Sequence, residues 1–159
     1  MSSLTIELDP LRGAGPVLLG ATRERAGAAL RAWGEPREHA PYPGALPLDW
    51  RLTGGGVDVH VHCGSTGVVQ TIEIFRDDDD THPAARVLLL GMDVFATPAE
   101  DVLATLGERF EVEIEDGFGG TVPELSVGLG GMVVPDDEDR ARFGHVLIAG
   151  PGYYDRPTR

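Results

Sequence analysis

Residues 19–36 read LGATRERAGAALRAWGEP, and residues 90–107 read LGMDVFATPAEDVLATLG. Each stretch holds a Leu-Gly pair, a threonine able to start a helix, a short amphipathic segment and a closing glycine. Each is followed by strand-like sequence. Helices at this spacing, each leading into hairpin-rich sequence, fit an antiparallel arrangement, because parallel strands would need a crossover for every pairing. The expectation is an α+β chain of two similar halves, each a short helix packed on antiparallel strands. Residues 1–80 form a helix-plus-meander half and residues 81–159 a helix-plus-strands half, sharing one compact unit.

Working outward from the first stretch, Leu4, Ile6 and Leu8 alternate with polar residues and predict a short strand. Thr22 is the expected N-cap of a helix over 23–33, whose buried stripe is Ala26, Ala29, Leu30 and Trp33. Gly34 and Pro36 supply the stop. Prolines 36, 41, 43 and 47 read as a fixed surface loop. Strands are expected over 48–52, 57–63 and 68–75, with turns at the glycines 54–56 and at GSTG 64–67.

The second half opens on the apolar run 87–90. Thr97 as cap, Pro98 at the first helical position and Glu100 as capping-box partner predict the second helix, with Val102, Leu103 and Leu106 buried. Phe110, Val112 and Ile114 alternate with Glu111, Glu113 and Glu115, which predicts a half-buried strand with an acidic outer face. Further strands are expected over 125–129, 132–134 and 145–149. The glycine pairs 119–120 and 130–131 read as turns, since neither sits in a phosphate-loop pattern and no lysine exists to reach a phosphate.

Composition narrows the function classes. The 159 residues carry a net charge of −13, with 26 carboxylates against 13 basic groups, all of them arginine. Such a surface repels nucleic-acid phosphates and anionic membranes, because binding there depends on basic side chains releasing counterions. It favours rapid encounter with a basic protein. The absence of lysine and asparagine, both encoded by AT-rich codons, implies a high-GC bacterial gene. A single cysteine, Cys63, excludes an intramolecular disulfide framework and a Cys-rich zinc site. The N-terminal residues lack a signal-peptide pattern and no apolar run is long enough to span a bilayer, so a cytoplasmic location is expected. No cofactor is expected, and the oligomeric state is left open.

The phrase LGATRE…L…GEP resembles the "LGMTREEV…LLGEP" segment of small bacterial α/β proteins, among them the SmpA/OmlA-like lipoproteins and the tandem-repeat β-lactamase-inhibitor-protein-like fold. That resemblance implies a helix on an antiparallel sheet and a tilt toward binding another protein. The second copy keeps Leu90, Gly91, Met92, Thr97, Val102, Leu106 and Gly107, with a longer spacer before its helix. This chain has neither paired cysteines nor a lipoprotein signal, so secreted inhibition and outer-membrane assembly do not carry over. Small acidic α/β proteins from such genomes also resemble immunity proteins of toxin systems.

The sharpest local feature is VDVHVHC at 57–63. Alternation puts Val57, Val59, Val61 and Cys63 on one strand face and Asp58, His60 and His62 on the other. Two histidines at i and i+2 are able to ligate a metal such as zinc if another element adds a ligand, with Glu73 and His145 as candidates. The competing reading is a solvated polar face. The acidic runs Asp77, Asp78, Asp79, Asp80 and Asp136, Asp137, Glu138, Asp139 lack EF-hand spacing and read as solvated loops. Neither Ser65 nor Ser126 sits in a nucleophile elbow, and no catalytic residue is assigned. The favoured function is a non-enzymatic acidic protein-binding domain of the inhibitor or immunity type. Its partner-facing patch is Glu111, Glu113, Glu115 and Asp116, with Asp77 to Asp80 beside it. A metal-binding domain or metal-dependent enzyme using His60 and His62 is the alternative.

Overall fold

The computed structural model describes residues 4–40, 42–45, 48–76, 85–115, 119–134 and 140–154. The chain is mixed α+β, mostly strand. In order, its elements are β1 (Thr5–Asp9), β2 (Gly13–Ala14), β3 (Val17–Leu18), α1 (Arg23–Leu30), β4 (Arg37–His39), β5 (Asp49–Gly54), β6 (Val57–His62) and β7 (Thr71–Arg76). There follow β8 (Arg86–Leu89), β9 (Met92–Asp93), α2 (Ala99–Gly107), β10 (Glu113–Glu115), β11 (Gly119–Val122), β12 (Val127–Gly130) and β13 (His145–Ala149).

Eight strands make the large sheet in the order β10-β11-β12-β13-β7-β6-β5-β4, all pairs antiparallel. The first-half strands therefore fill four consecutive places and the second-half strands the other four, meeting at β7–β13. A smaller sheet, β3-β2-β1-β8-β9, contains the one parallel pair of the described residues, β1 with β8. That pair joins the start of one half to the start of the other.

The alternation in β5–β7 and β13 is what closes the core. Val57, Val59, Val61, Ile72, Ile74, Val146 and Ile148 all point to one face and are almost completely buried. The same core takes in Ala26 and Leu30 of α1, Val102 and Leu106 of α2, and Ile6, Val87 and Leu89 of the small sheet. Each fully buried aliphatic side chain of this size contributes roughly 1.5–3 kcal/mol. On β6 and β7 the opposite face carries Asp58, His60, His62, Thr71, Glu73 and Phe75.

The helices seat on the sheet differently. α1 carries Gly27 mid-helix, normally a cost of roughly 1 kcal/mol against alanine. The Trp50 indole of β5 occupies the space a Cβ would need, with its Cζ2 2.5 Å from that position. Trp50 is fixed there by donating its indole N–H to the Arg23 carbonyl at 2.8 Å. On α2 the relation is reversed: Gly120 of β11 makes room for Leu103, whose Cδ2 lies 2.8 Å from where a Cβ would sit.

Several expectations are corrected. Helix α1 ends at Leu30, and the segment to Gly34 continues as turns bonded back to residues 28–30. Thr22 does cap it, accepting from the Arg25 N–H at 3.3 Å. Helix α2 begins one residue late: Pro98 holds the cap position without a side-chain bond. Glu100 is not a capping-box partner but pairs with Arg140. Asp93 instead accepts from the Phe95 and Ala96 N–H groups and shapes the lead-in. The proline-rich loop contains β4, and the glycines at 119–120 begin a strand.

The two Leu-Gly pairs also occupy different places. Leu90 and Gly91 both have positive φ and form the two-residue turn from β8 to β9, a type I′ signature. Leu19 and Gly20 follow β3 and lead into α1. Among the described residues no helix is long and apolar enough to cross a membrane.

Candidate functional site

The outer face of β5, β6, β7 and β13 carries the main polar cluster, and strand register assembles it. Gly55 and Gly56 have φ of 65° and 90° and make the two-residue turn that pairs Gly54 with Val57. That register continues to Arg51 opposite His60, and brings Asp49 beside His62. The β6–β7 register sets His60 opposite Glu73, and β7–β13 sets Phe75 opposite His145. Directly opposed and diagonal side chains on one sheet face are within reach of one another.

The resulting geometry is close. His62 Nε2 lies 2.7 Å from Glu73 Oε2, and His62 Nδ1 lies 3.4 Å from Asp49 Oδ2. One ligand atom each from His60, His62 and Glu73 lie within 4.8 Å of one another, all three residues being half-buried. Glu73 Oε1 is 3.3 Å from the buried Nε2 of His145, a distance for attraction but without hydrogen-bond alignment. Phe75 lies between two imidazoles, its centroid 4.9 Å from that of His60 and 4.5 Å from that of His145.

Asp49 is itself anchored, accepting from the Cys63 N–H at 2.9 Å and the Gly64 N–H at 3.1 Å. Burial pushes its carboxyl up, but those two N–H bonds and His62 outweigh burial and hold it below the usual range. Glu73 follows the same pattern: burial raises it, and bonding and charge from His62, then His145, bring it net below the usual value. His60 is lowered by burial and then by the Arg51 charge. Cys63 faces inward, fully buried; burial and then the Asp49 charge push its thiol up to about 11. It belongs to the core, as expected.

Further along the same face, toward β11 and β12, glycines predominate. Gly119, Thr121, Gly128 and Gly130 line a shallow groove of about 210 Å³ with His145 and Tyr154. The Tyr154 hydroxyl lies 2.2 Å from where a Cβ on Gly128 would be, so only glycine admits the ring there. Burial, then the charges of Tyr153 and Glu73, raise that phenol to about 12.

Of the residues singled out from sequence, the structure unites His60, His62 and Glu73, and places His145 against Glu73. Glu111, Glu113 and Glu115 are exposed on and beside β10, at one edge of the large sheet. Glu113 and Glu115 pair with Thr121 and Gly119, and Glu115 lines the groove with His145 and Tyr154. The strand is not half-buried as expected, however: Phe110 and Val112 are half-buried, but Ile114 is 60% exposed. Asp77, Asp78, Asp79, Asp80, Asp116, and the run at 136–139 lie outside the described residues. Asp49 and Phe75 were missed. Counting back from the glycine turn would have found Asp49, since pairing 54 with 57 puts 49 beside 62. No family model, curated protein or solved structure matches the chain.

Proposed function

We propose that this chain is a non-enzymatic acidic protein-binding domain, built as two similar halves, that engages a basic partner in the manner of an inhibitor or immunity-type neutraliser. The observation that carries the reading is the β10 edge of the large sheet. There Glu113, Ile114 and Glu115 are all exposed, with Glu111 exposed beside them. A terminal strand offers backbone groups for pairing, an exposed isoleucine offers apolar contact, and flanking carboxylates select a basic counterpart. Natural edges are commonly defended by charge, so the exposed Ile114 is the part that defence alone does not explain. The net charge of −13 would speed encounter in a salt-dependent way.

Support for paired halves is topological. Residues just before each helix bridge to the segment leading into the last strand of the same half, Thr22 to Val68 and Pro98 to Arg142. The test is affinity capture from a high-GC bacterial lysate at low and moderate salt. A basic protein retained stoichiometrically at low salt, shed as salt rises, and lost with Glu111→Arg/Glu113→Arg is expected. Retention unaffected by those reversals would remove the patch from the proposal.

A further inference from the structure

We propose that His60, His62 and Glu73 form a three-ligand site for a divalent transition-metal ion of the zinc class, with Asp49 as the positioning residue behind His62. The donor set is two imidazole nitrogens and one carboxylate oxygen. That set suits zinc and its neighbours and not calcium or magnesium, which take oxygen ligands. Around a tetrahedral ion with bonds of about 2.0–2.2 Å, ligand atoms sit roughly 3.3–3.6 Å apart. Here the three lie within 4.8 Å of one another, with His62 and Glu73 at 2.7 Å. An ion would enter as the His62–Glu73 contact opens and the three ligand atoms take up that spacing.

What separates this cluster from an incidental His–Glu contact is the arrangement behind it. A ligating histidine needs its other ring nitrogen held by an acceptor, which fixes tautomer and ring orientation. His62 presents Nε2 toward Glu73 and Nδ1 toward the Asp49 carboxylate at 3.4 Å. Asp49 is held in turn by two backbone N–H groups from residues 63 and 64. The His60 ring is set against Phe75. The free oxygen of Glu73 faces the His145 ring. All three ligands stand on paired strands of the large sheet, β6 and β7, a rigid platform. Three protein ligands leave a fourth position for water, and the partial exposure of the cluster admits it. This site is independent of the β10 edge and stands or falls separately from partner binding.

The experiment is titration of chelator-stripped protein with Zn²⁺ by calorimetry, and with Co²⁺ by visible absorption, which reports coordination geometry. One equivalent bound is expected, with tetrahedral Co²⁺ bands. His60→Ala, His62→Ala and Glu73→Gln should each weaken binding about tenfold or more, Asp49→Asn should weaken it by about 10–100-fold, and His39→Ala should leave it unchanged. His60→Ala leaves the Asp49–His62–Glu73 contacts in place, so with circular dichroism of the metal-free variants it separates ligand loss from misfolding. No saturable binding to the wild-type protein overturns the proposal. So does binding that survives His60→Ala and His62→Ala in folded protein.

Discussion

The helix seats of the two halves are opposite solutions to one packing problem. In the first half the glycine is in the helix and the bulk in the strand: Gly27 receives Trp50. In the second the glycine is in the strand and the bulk in the helix: Gly120 receives Leu103. Both let a short helix approach the sheet closely, but they differ in tolerance. The Trp50 ring is pinned by its bond to the Arg23 carbonyl, whereas the Leu103 terminus is a rotatable methyl. The outer faces diverge in parallel. The first half places imidazoles and carboxylates on β5–β7, and the second places glycines under Tyr154. The two ends of the large sheet thus carry different chemistry on the same face.

The largest effect should come from filling the helix seats. Gly27→Ala gains helix propensity but drives a methyl into a fixed indole. A net loss of about 1–3 kcal/mol is expected in urea unfolding. Gly120→Ala meets the movable end of Leu103, with the Glu113 carbonyl at 3.3 Å, and should cost about 1 kcal/mol less than Gly27→Ala. Equal costs would mean the two seats are equally rigid and the contrast false.

A smaller difference is expected at the helix starts. Thr22→Ala removes a real cap and should cost about 1 kcal/mol. Thr97→Ala removes none, since Pro98 holds that position, and should stay within about 0.5 kcal/mol. A matching loss at Thr97 would restore the capping box that the sequence suggested.

The effect of Cys63 is confined to alkaline pH. Its thiol is raised from 9.0 to about 11 in the folded chain, so the unfolded chain ionises first. The contribution is fully present below pH 9.0 and is lost as pH rises through about 11. Thiol-reagent labelling at pH 8 should be negligible until the protein unfolds. Prompt labelling of folded protein would place Cys63 outside the core.

Much of this was legible where periodicity had room to show. Val57 to Cys63 alternates over seven residues, and its two faces are found as read. Elements such as β2, β3 and β9 span two residues each, too short for any period. Strand β11 was hidden because Gly119 and Gly120 look like a turn. They are glycines for packing reasons: a Cβ on Gly119 would sit 1.9 Å from the Leu129 carbonyl oxygen. The histidine pair was visible, but its third member was not fixed until register set Glu73 opposite His60. Ile114 keeps the apolar period of Phe110 and Val112, but it lies on an edge strand and is 60% exposed.

The two sheet edges give the most direct test of the partner-binding claim. Edge β4 mixes Arg37, Glu38 and His39, while β10 presents Glu113, Ile114 and Glu115. Glu111→Arg/Glu113→Arg and Glu35→Arg/Glu38→Arg change net charge equally, at opposite ends of the sheet. The decisive measurement is retention of the captured basic partner by each variant across a salt series. Loss confined to the β10 variant, with the β4 variant matching wild type, is the expected result. Equal loss in both would show that bulk charge alone attracts the partner and would contradict a binding edge at β10.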